Sequence, residues 1–257
     1  MVHFVGAGPG APDLITLRGA RLLSEADQVI FAGSLVNPAL LESCRGNCRI
    51  LDSSVMTLEE VIGAIRRAEE EGKTTVRLHT GDPSLYGAIR EQMACLDRLG
   101  IAYDVTPGVS SFLGASAALR TEYTIPGKSQ TLILTRMTGR TPVPESESIP
   151  ALAAHGSAMA VFLSAGMLPR LQEELLQGAF TEETPAAIVC RATWPDEKIL
   201  RCPLGALAQT AEKEGIRKTA LILVGDFLND TSDENLRSRL YDPAFTTEYR
   251  KGTGNSA

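Results

Sequence analysis

Val5-Gly6-Ala7-Gly8-Pro9-Gly10-Ala11-Pro12-Asp13 is the stretch on which the fold turns. The apolar run Val2 to Val5 ahead of it predicts a buried strand. Leu14, Leu17 and Leu22 behind it predict a helix, which Pro12 delays to about Thr16. Strand, glycine turn and helix in that order mark the edge where open parallel sheets bind ligands. Glycine lets a backbone approach closely and turn through positive φ. Pro9 stiffens the turn and removes one donor.

Gly6-x-Gly8-x-x-Ala11 has the form of the dinucleotide fingerprint, which also calls for an acid at the end of the second strand. That strand reads as Gln28 to Phe31 and leaves through Ala32-Gly33-Ser34-Leu35. No acid stands there, and Asp27 comes before the strand. An NAD-dependent oxidoreductase is therefore the disfavoured reading of the turn.

Working outward, strands and helices alternate. Thr57 to Gly72 predicts a helix, with Thr57 and Glu60 as a capping box and Leu58, Val61, Ile62 and Ile65 as the buried stripe. Thr74 to His79 reads as a strand and Ser84 to Leu99 as a helix ending at Gly100. Ile101 to Val105 reads as a strand and Ser110 to Leu119 as a helix. This alternation predicts a parallel open sheet with helices on both faces. Arg120 to Ser129, with Pro126-Gly127, reads as a junction. Beyond it, strands are predicted at Thr131–Thr135, Ala158–Leu163, Ala186–Cys190, Lys198–Cys202 and Ala220–Val224. Helices are predicted at Leu168–Leu176 and Leu204–Glu214. The fold class is α/β in two α/β domains: residues 1–119 with the parallel open sheet, and 120–240 with a mixed sheet. A polar tail, 241–257, follows, and its last residues are expected to be disordered.

The composition narrows the classes. At 257 residues with 44% apolar content there is ample core for two such domains. No apolar run reaches membrane-spanning length and no signal-peptide pattern opens the chain, so a cytoplasmic protein with no membrane partner is expected. The net charge of −6 and the lack of a basic stripe argue against nucleic acid. Five cysteines and three histidines are scattered without ligand spacing, so free thiols and no protein-bound metal are expected.

Three turns stand at the carboxyl ends of predicted parallel strands: Gly6 to Asp13, Thr80-Gly81-Asp82-Pro83-Ser84-Leu85-Tyr86-Gly87, and Thr106-Pro107-Gly108-Val109-Ser110-Ser111. Taken singly, each is ordinary turn chemistry, with Asp82-Pro83 starting a turn and Ser84 capping a helix. Together they predict a ligand site at one sheet edge. The Gly-x-x-x-x-Gly-Lys-Ser phosphate loop and the Gly-x-Ser-x-Gly nucleophile elbow are both absent.

Val5 to Gly10 with Leu14-Ile15-Thr16, then Gly81-Asp82-Pro83, then Pro107 to Ser111 resemble the tetrapyrrole methylase family over roughly Val2 to Lys251. Four further stretches resemble its precorrin-4 C11-methyltransferase branch. They are Ala32 to Val36, Gly139 to Pro144, Ala192-Thr193-Trp194-Pro195-Asp196-Glu197-Lys198, and Leu240 to Phe245. Arg136-Met137-Thr138-Gly139 departs from that branch by lacking a proline before the glycine. The resemblance implies an S-adenosylmethionine-dependent methyl transfer to C11 of precorrin-4 or cobalt-precorrin-4 in cobalamin biosynthesis, with S-adenosylhomocysteine as product. It also implies a homodimer. Donor contacts carry over to Pro9, Thr80, Gly81, Asp82, Leu85, Ser110, Ser111, Ser164, Ala192, Thr219, Ala220 and Leu221. The alternatives are a sister enzyme methylating another ring carbon of a precorrin or siroheme precursor, and, further off, a diphthine synthase.

The reaction is displacement at a methyl carbon that already carries a good leaving group, so the protein's part is alignment and exclusion of water. Asp82 and Tyr86, and less so His79, are candidates by position for taking the ring proton. For Asp82 a loop-capping role is an equal alternative. The acceptor that the resemblance implies is a polycarboxylate macrocycle. Arg120, Lys128, Arg136 and Arg140 gather near the junction, and Arg136 and Arg140 are the candidates to bind its carboxylates.

Overall fold

A computed structural model describes residues 1–229 and 238–253. The expected disorder of the final residues falls on 254–257, outside the described residues. The chain divides into two compact units. One holds 1–118 together with 190–198, and the other holds 119–189 and 199 onward.

In the first unit the strands are β1 (Val2–Gly6), β2 (Gln28–Phe31), β3 (Arg49–Asp52), β4 (Thr75–His79) and β5 (Tyr103–Thr106). They lie in the order β3-β2-β4-β1-β5, and every pairing is parallel. The apolar residues alternate between the faces. Val5, Val29, Val76 and Leu78 pack on Leu22 and Leu23 of α1 (Leu17–Glu25). Val2, Phe4 and Ile30 pack on Val61, Ala64 and Ile65 of α2 (Leu58–Glu70) and Leu96 of α3 (Ile89–Leu99). α4 (Ser111–Leu119) follows β5.

Local chemistry sets the helix starts. Pro12 holds residues 12–14 in a 3-10 turn, and α1 begins only after Thr16, whose hydroxyl accepts the Gly19 N–H at 3.1 Å. α1 starts where Pro12 was expected to delay it, and its first residue, Leu17, is 93% exposed. Thr57 and Glu60 close the capping box of α2 in both directions, an arrangement that contributes about 1 kcal/mol. α3 begins five residues later than its apolar spacing predicts. Asp82 captures Ser84 in a turn, and Tyr86 and Ala88 then take positive φ of 56° and 50°. β3 was not foreseen from sequence. It is a four-residue edge strand with little burial and hence little periodicity.

In the second unit β6 (Leu132–Arg136), β7 (Ala158–Phe162), β8 (Pro185–Cys190), β9 (Lys198–Pro203) and β10 (Ala220–Val224) form a sheet in the order β6-β7-β10-β8-β9. β6 runs parallel to β7 and β10 antiparallel to it, so the sheet is mixed. α5 (Ile149–Ala153), α6 (Leu168–Leu176) and α7 (Leu207–Lys213) accompany the sheet. Leu168, Leu171 and Leu175 of α6 are buried at helical spacing. All five cysteines are free thiols. Among the described residues no helix is long and apolar enough to cross a membrane.

Candidate active site

The three turns of the first unit meet at glycines. A methyl group added to Gly6 would stand 2.5 Å from Cα of Gly108 and 2.6 Å from the carbonyl oxygen of Gly81. One added to Gly108 would stand 2.1 Å from that same oxygen. Only hydrogen fits where the ends of β1, β4 and β5 converge. Gly8 and Gly81 exchange a pair of main-chain hydrogen bonds, of 3.2 and 2.9 Å, and Ala7 N–H donates to His79 C=O at 2.7 Å.

Asp82 joins the second turn to the third. Its Oδ1 accepts from Ser84 N–H at 2.8 Å and from the Ser84 hydroxyl at 2.5 Å, and its Oδ2 accepts from Gly108 N–H at 2.8 Å. Partial burial raises its pKa, but donation from the Ser84 hydroxyl, Gly108 N–H and Ser84 N–H outweighs burial and holds it below the usual carboxylate range. Asp82 is thus an ionised brace with both oxygens engaged, in agreement with the capping alternative. Thr80 is exposed and donates to Leu35 C=O at 3.4 Å. Leu85 is half-buried, Tyr86 is exposed, Ser110 is buried and Ser111 half-buried. His79 ends β4 with its ring against Phe4, and its buried Nε2 has no hydrogen-bond partner among the described residues. Burial, with Arg77 on the same strand second, pushes its pKa down to about 3, so the imidazole is neutral.

The segment 190–198, which leaves the second sheet after Cys190, belongs to the first unit and carries Ala192 to the first turn. A Cβ on Gly10 would stand 2.1 Å from the Trp194 ring and 2.8 Å from the Ala192 carbonyl oxygen. Trp194 Nε1–H donates to Pro9 C=O at 3.2 Å, and Ala11 N–H donates to the Thr193 hydroxyl at 2.9 Å. Asn37 donates from Nδ2 to Gly10 C=O at 2.9 Å. The main-chain donors of Ala7, Gly8 and Ala11 are therefore spent inside the protein, unlike the free amides of a pyrophosphate loop. Turn residues 6–13, 80–87 and 106–111 include Asp13 and Asp82 and no lysine or arginine. That charge suits a cationic ligand better than a diphosphate.

In the second unit the candidate residues gather at the carboxyl edge of β7. Ser164 is fully buried. Its hydroxyl donates to Phe162 C=O at 2.7 Å and accepts from Met137 N–H at 3.1 Å. β10 pairs antiparallel with β7, Ile222 opposite Val161, so the start of β10 lies toward the carboxyl end of β7. Leu163 and Thr219 both hold positive φ, of 53° and 54°. Thr219 is exposed, Ala220 half-buried and Leu221 buried. Arg136 donates to the carbonyls of Met137, Thr141 and Pro142 at 3.2, 3.1 and 3.0 Å, closing its own loop. Arg140 is exposed on that loop.

Pro9, Thr80, Gly81, Asp82, Leu85, Ser110, Ser111 and Ala192 thus share the first unit, while Arg136, Arg140, Ser164 and Thr219 to Leu221 share the second. Asn37 and Asp52 were missed from sequence. Asp52 Oδ1 accepts Gly33 N–H at 2.9 Å, at the exit of β2 where no acid was found in sequence. Asn37-Pro38 carried a readable turn signal. Asp52 carried none without knowledge of β3. A surface depression of about 470 Å³ is lined by Val55, Met56, Glu59, Glu60, Gly63 and Arg67 and by no residue of the glycine turns. The turns are the better candidate, because they bring chemically distinct groups together.

Residues 1–208 match the profile of the Tetrapyrrole (Corrin/Porphyrin) Methylases. A cobalt-precorrin-4 C(11)-methyltransferase of Methanocaldococcus jannaschii is 51% identical over 250 residues, covering 97% of this chain and 96% of that protein. A precorrin-4 C(11)-methyltransferase of a Sinorhizobium species is 46% identical, with 97% and 98% covered. The crystal structure of a cobalt precorrin-4 methyltransferase superposes with a TM-score of 0.87 at 45% identity, covering 89% of this chain and 96% of that one. A uroporphyrin-III C-methyltransferase from Thermus thermophilus, complexed with S-adenosylhomocysteine, superposes with a TM-score of 0.74 at 26% identity, with 89% and 93% covered.

Proposed function

This chain belongs to the tetrapyrrole methylases, and we infer that it moves a methyl group from S-adenosylmethionine to C11 of a precorrin-4-type ring, with or without cobalt, in cobalamin biosynthesis. The observation that carries this reading beyond the relatives is the character of the three turns. Their backbone is packed glycine to glycine, their only charges are carboxylates, and three of the first turn's amides are already bonded. Such a surface fits a sulfonium cation bearing an amino acid and a nucleoside, and does not fit the pyrophosphate of a dinucleotide.

S-adenosylmethionine supplies a methyl group on positively charged sulfur. This chain supplies alignment and a dry surface. Pro9, Thr80, Gly81, Asp82, Leu85, Ser110, Ser111 and Ala192 of the first unit are read as donor contacts, as are Ser164 and Thr219 to Leu221 of the second. The Ser164 hydroxyl is already engaged with Phe162 C=O and Met137 N–H. Asp82 serves by bracing the second turn on the third and by placing a negative charge there. As a proton acceptor it is weak, because three donors hold it ionised. Tyr86, exposed beside that turn, is the better candidate to approach the ring proton. Arg140, exposed on its loop, is read as an acceptor-carboxylate contact, and Arg136 as the residue that also shapes that loop. A cytoplasmic homodimer completes the reading, and sedimentation of the purified chain tests the dimer.

The test is calorimetric titration with S-adenosylhomocysteine, with NAD as control, followed by methyl-transfer assays on metal-free and cobalt-bearing precorrin-4. S-adenosylhomocysteine binding without NAD binding, and a product methylated at C11, is the expected result. NAD binding alone would overturn it. A product methylated elsewhere on the ring would assign the chain to a sister activity.

A further inference from the structure

The molecule's only tryptophan is bound to the first glycine turn from a segment some 185 residues further along the chain. Trp194 donates from Nε1 to Pro9 C=O, and its ring fills the space a side chain on Gly10 would need. One residue earlier, the Thr193 hydroxyl accepts the Ala11 N–H. Pro9 is wedged from another side as well, since a Cβ on Gly114 of α4 would stand 2.8 Å from the Pro9 ring. The turn Pro9–Ala11 is therefore gripped at the residue before Gly10 and at the residue after it.

The gripping segment is itself strained and tied down. Arg191 and Thr193 hold positive φ, of 51° and 68°, the second in a β-branched residue for which this is unfavourable. The Thr193 N–H donates to the Glu197 carboxylate at 2.6 Å. The Arg191 guanidinium lies 4.2 Å over the Trp194 ring and pairs with Asp196 at 2.9 Å. Backbone strain of this kind survives only where surrounding contacts over-determine it, and it collects at functional sites. A purely packing role needs only an apolar ring over Gly10. Here two polar groups are aimed at main-chain atoms on either side of a turn whose glycines would otherwise let it wander.

We propose that Thr193 and Trp194 are positioning residues for the methyl donor. They fix the Pro9–Ala11 turn in the shape that receives it and act through that turn. This rests on the reading of Pro9 as a donor contact. Fixing the turn beforehand removes an ordering cost from donor binding, so the effect falls on donor affinity and not on the chemical step.

The experiment uses the full chain and compares Trp194→Phe, Thr193→Val and Thr193→Ser with the unaltered protein. S-adenosylhomocysteine affinity is read by calorimetry. KM for S-adenosylmethionine, KM for the precorrin acceptor and kcat are read separately. Trp194→Phe keeps the ring and loses the donor, so the donor KM and the S-adenosylhomocysteine Kd rise about five- to tenfold, the worth of one hydrogen bond. The acceptor KM and kcat stay within about twofold. Thr193→Val moves the same two constants the same way, and Thr193→Ser restores them. Should Trp194→Phe not fold, the valine and serine pair decides alone. Unchanged donor constants in both Trp194→Phe and Thr193→Val, or a loss confined to kcat or to the acceptor KM, would overturn the inference. If the unaltered chain binds no S-adenosylhomocysteine, the methyltransferase reading fails first and takes this inference with it.

Discussion

The turns of the first unit and the β7 edge of the second meet the same demand, joining neighbouring strand ends, by opposite means. In the first unit, glycine meets glycine and main chain bonds to main chain. In the second, the Ser164 hydroxyl makes the link, and Leu163 and Thr219 take left-handed conformations without glycine's freedom. The first solution leaves no room for any side chain. The second leaves room but stores strain. The same kind of substitution should therefore cost very different amounts at the two edges.

The widest gap is expected between Gly108→Ala and Ser164→Ala. The new Cβ at position 108 would stand 2.1 Å from the Gly81 carbonyl oxygen, against backbone that cannot swing aside. Relieving it means opening the junction and losing the Asp82 brace, a cost of about 3 kcal/mol or more. Ser164→Ala leaves the buried Met137 N–H without its acceptor, a cost of about 1–2 kcal/mol. Urea unfolding of the two variants beside the parent measures both. Equal losses would erase the distinction between the edges.

The same contrast explains what could be read in advance. Gly6, Gly81 and Gly108 were visible in the sequence because a backbone contact that excludes Cβ writes itself as glycine. The central strands β4, β7 and β10 were visible as apolar runs, since their burial is nearly complete. Leu163 and Thr219 gave no sign of their conformation, because nothing in either residue type announces positive φ. Trp194 was read only as part of the 192–198 stretch that carries the branch resemblance, because its contact with Pro9 joins segments that no local pattern connects. The start of α3 was misplaced because Ser84 looked like a helix cap and instead serves the Asp82 turn. β3 and α5, of four and five residues, are too short to show a period.

Acidification should sharpen the comparison further, because the first edge rests on a buried imidazole. His79 has a folded pKa of about 3 against about 6.5 when unfolded. Between those values the unfolded chain binds a proton that the folded chain refuses. Stability is therefore full above about pH 6.5 and falls as the pH drops toward 3, by up to about 1.4 kcal/mol per pH unit from this group. Asp82, whose folded pKa is lowered, adds loss of the same sign as pH falls through the carboxylate range. His79→Gln should flatten the decline between pH 6.5 and 5 by about 2 kcal/mol in urea titrations at each pH. An unchanged slope would mean that the imidazole finds a partner when protonated.

The smallest effect belongs to the second edge and has the opposite sign. Thr219 is exposed, β-branched and held at a φ of 54°, a conformation that costs an L-residue about 1–2 kcal/mol. Thr219→Gly removes that cost and adds back part of it through the freer unfolded chain, about 0.5–1 kcal/mol. The net expectation is a gain of about 0.5 kcal/mol, or a melting midpoint raised by about one or two degrees. The main chain at 219 keeps its shape in the variant, so a donor contact made by that main chain survives, and S-adenosylhomocysteine affinity should hold. A raised midpoint with affinity intact assigns the strain to the edge itself. A lowered midpoint means the threonine side chain contributes more than its conformation costs, and the edge would then be as closely fitted as the glycine junction.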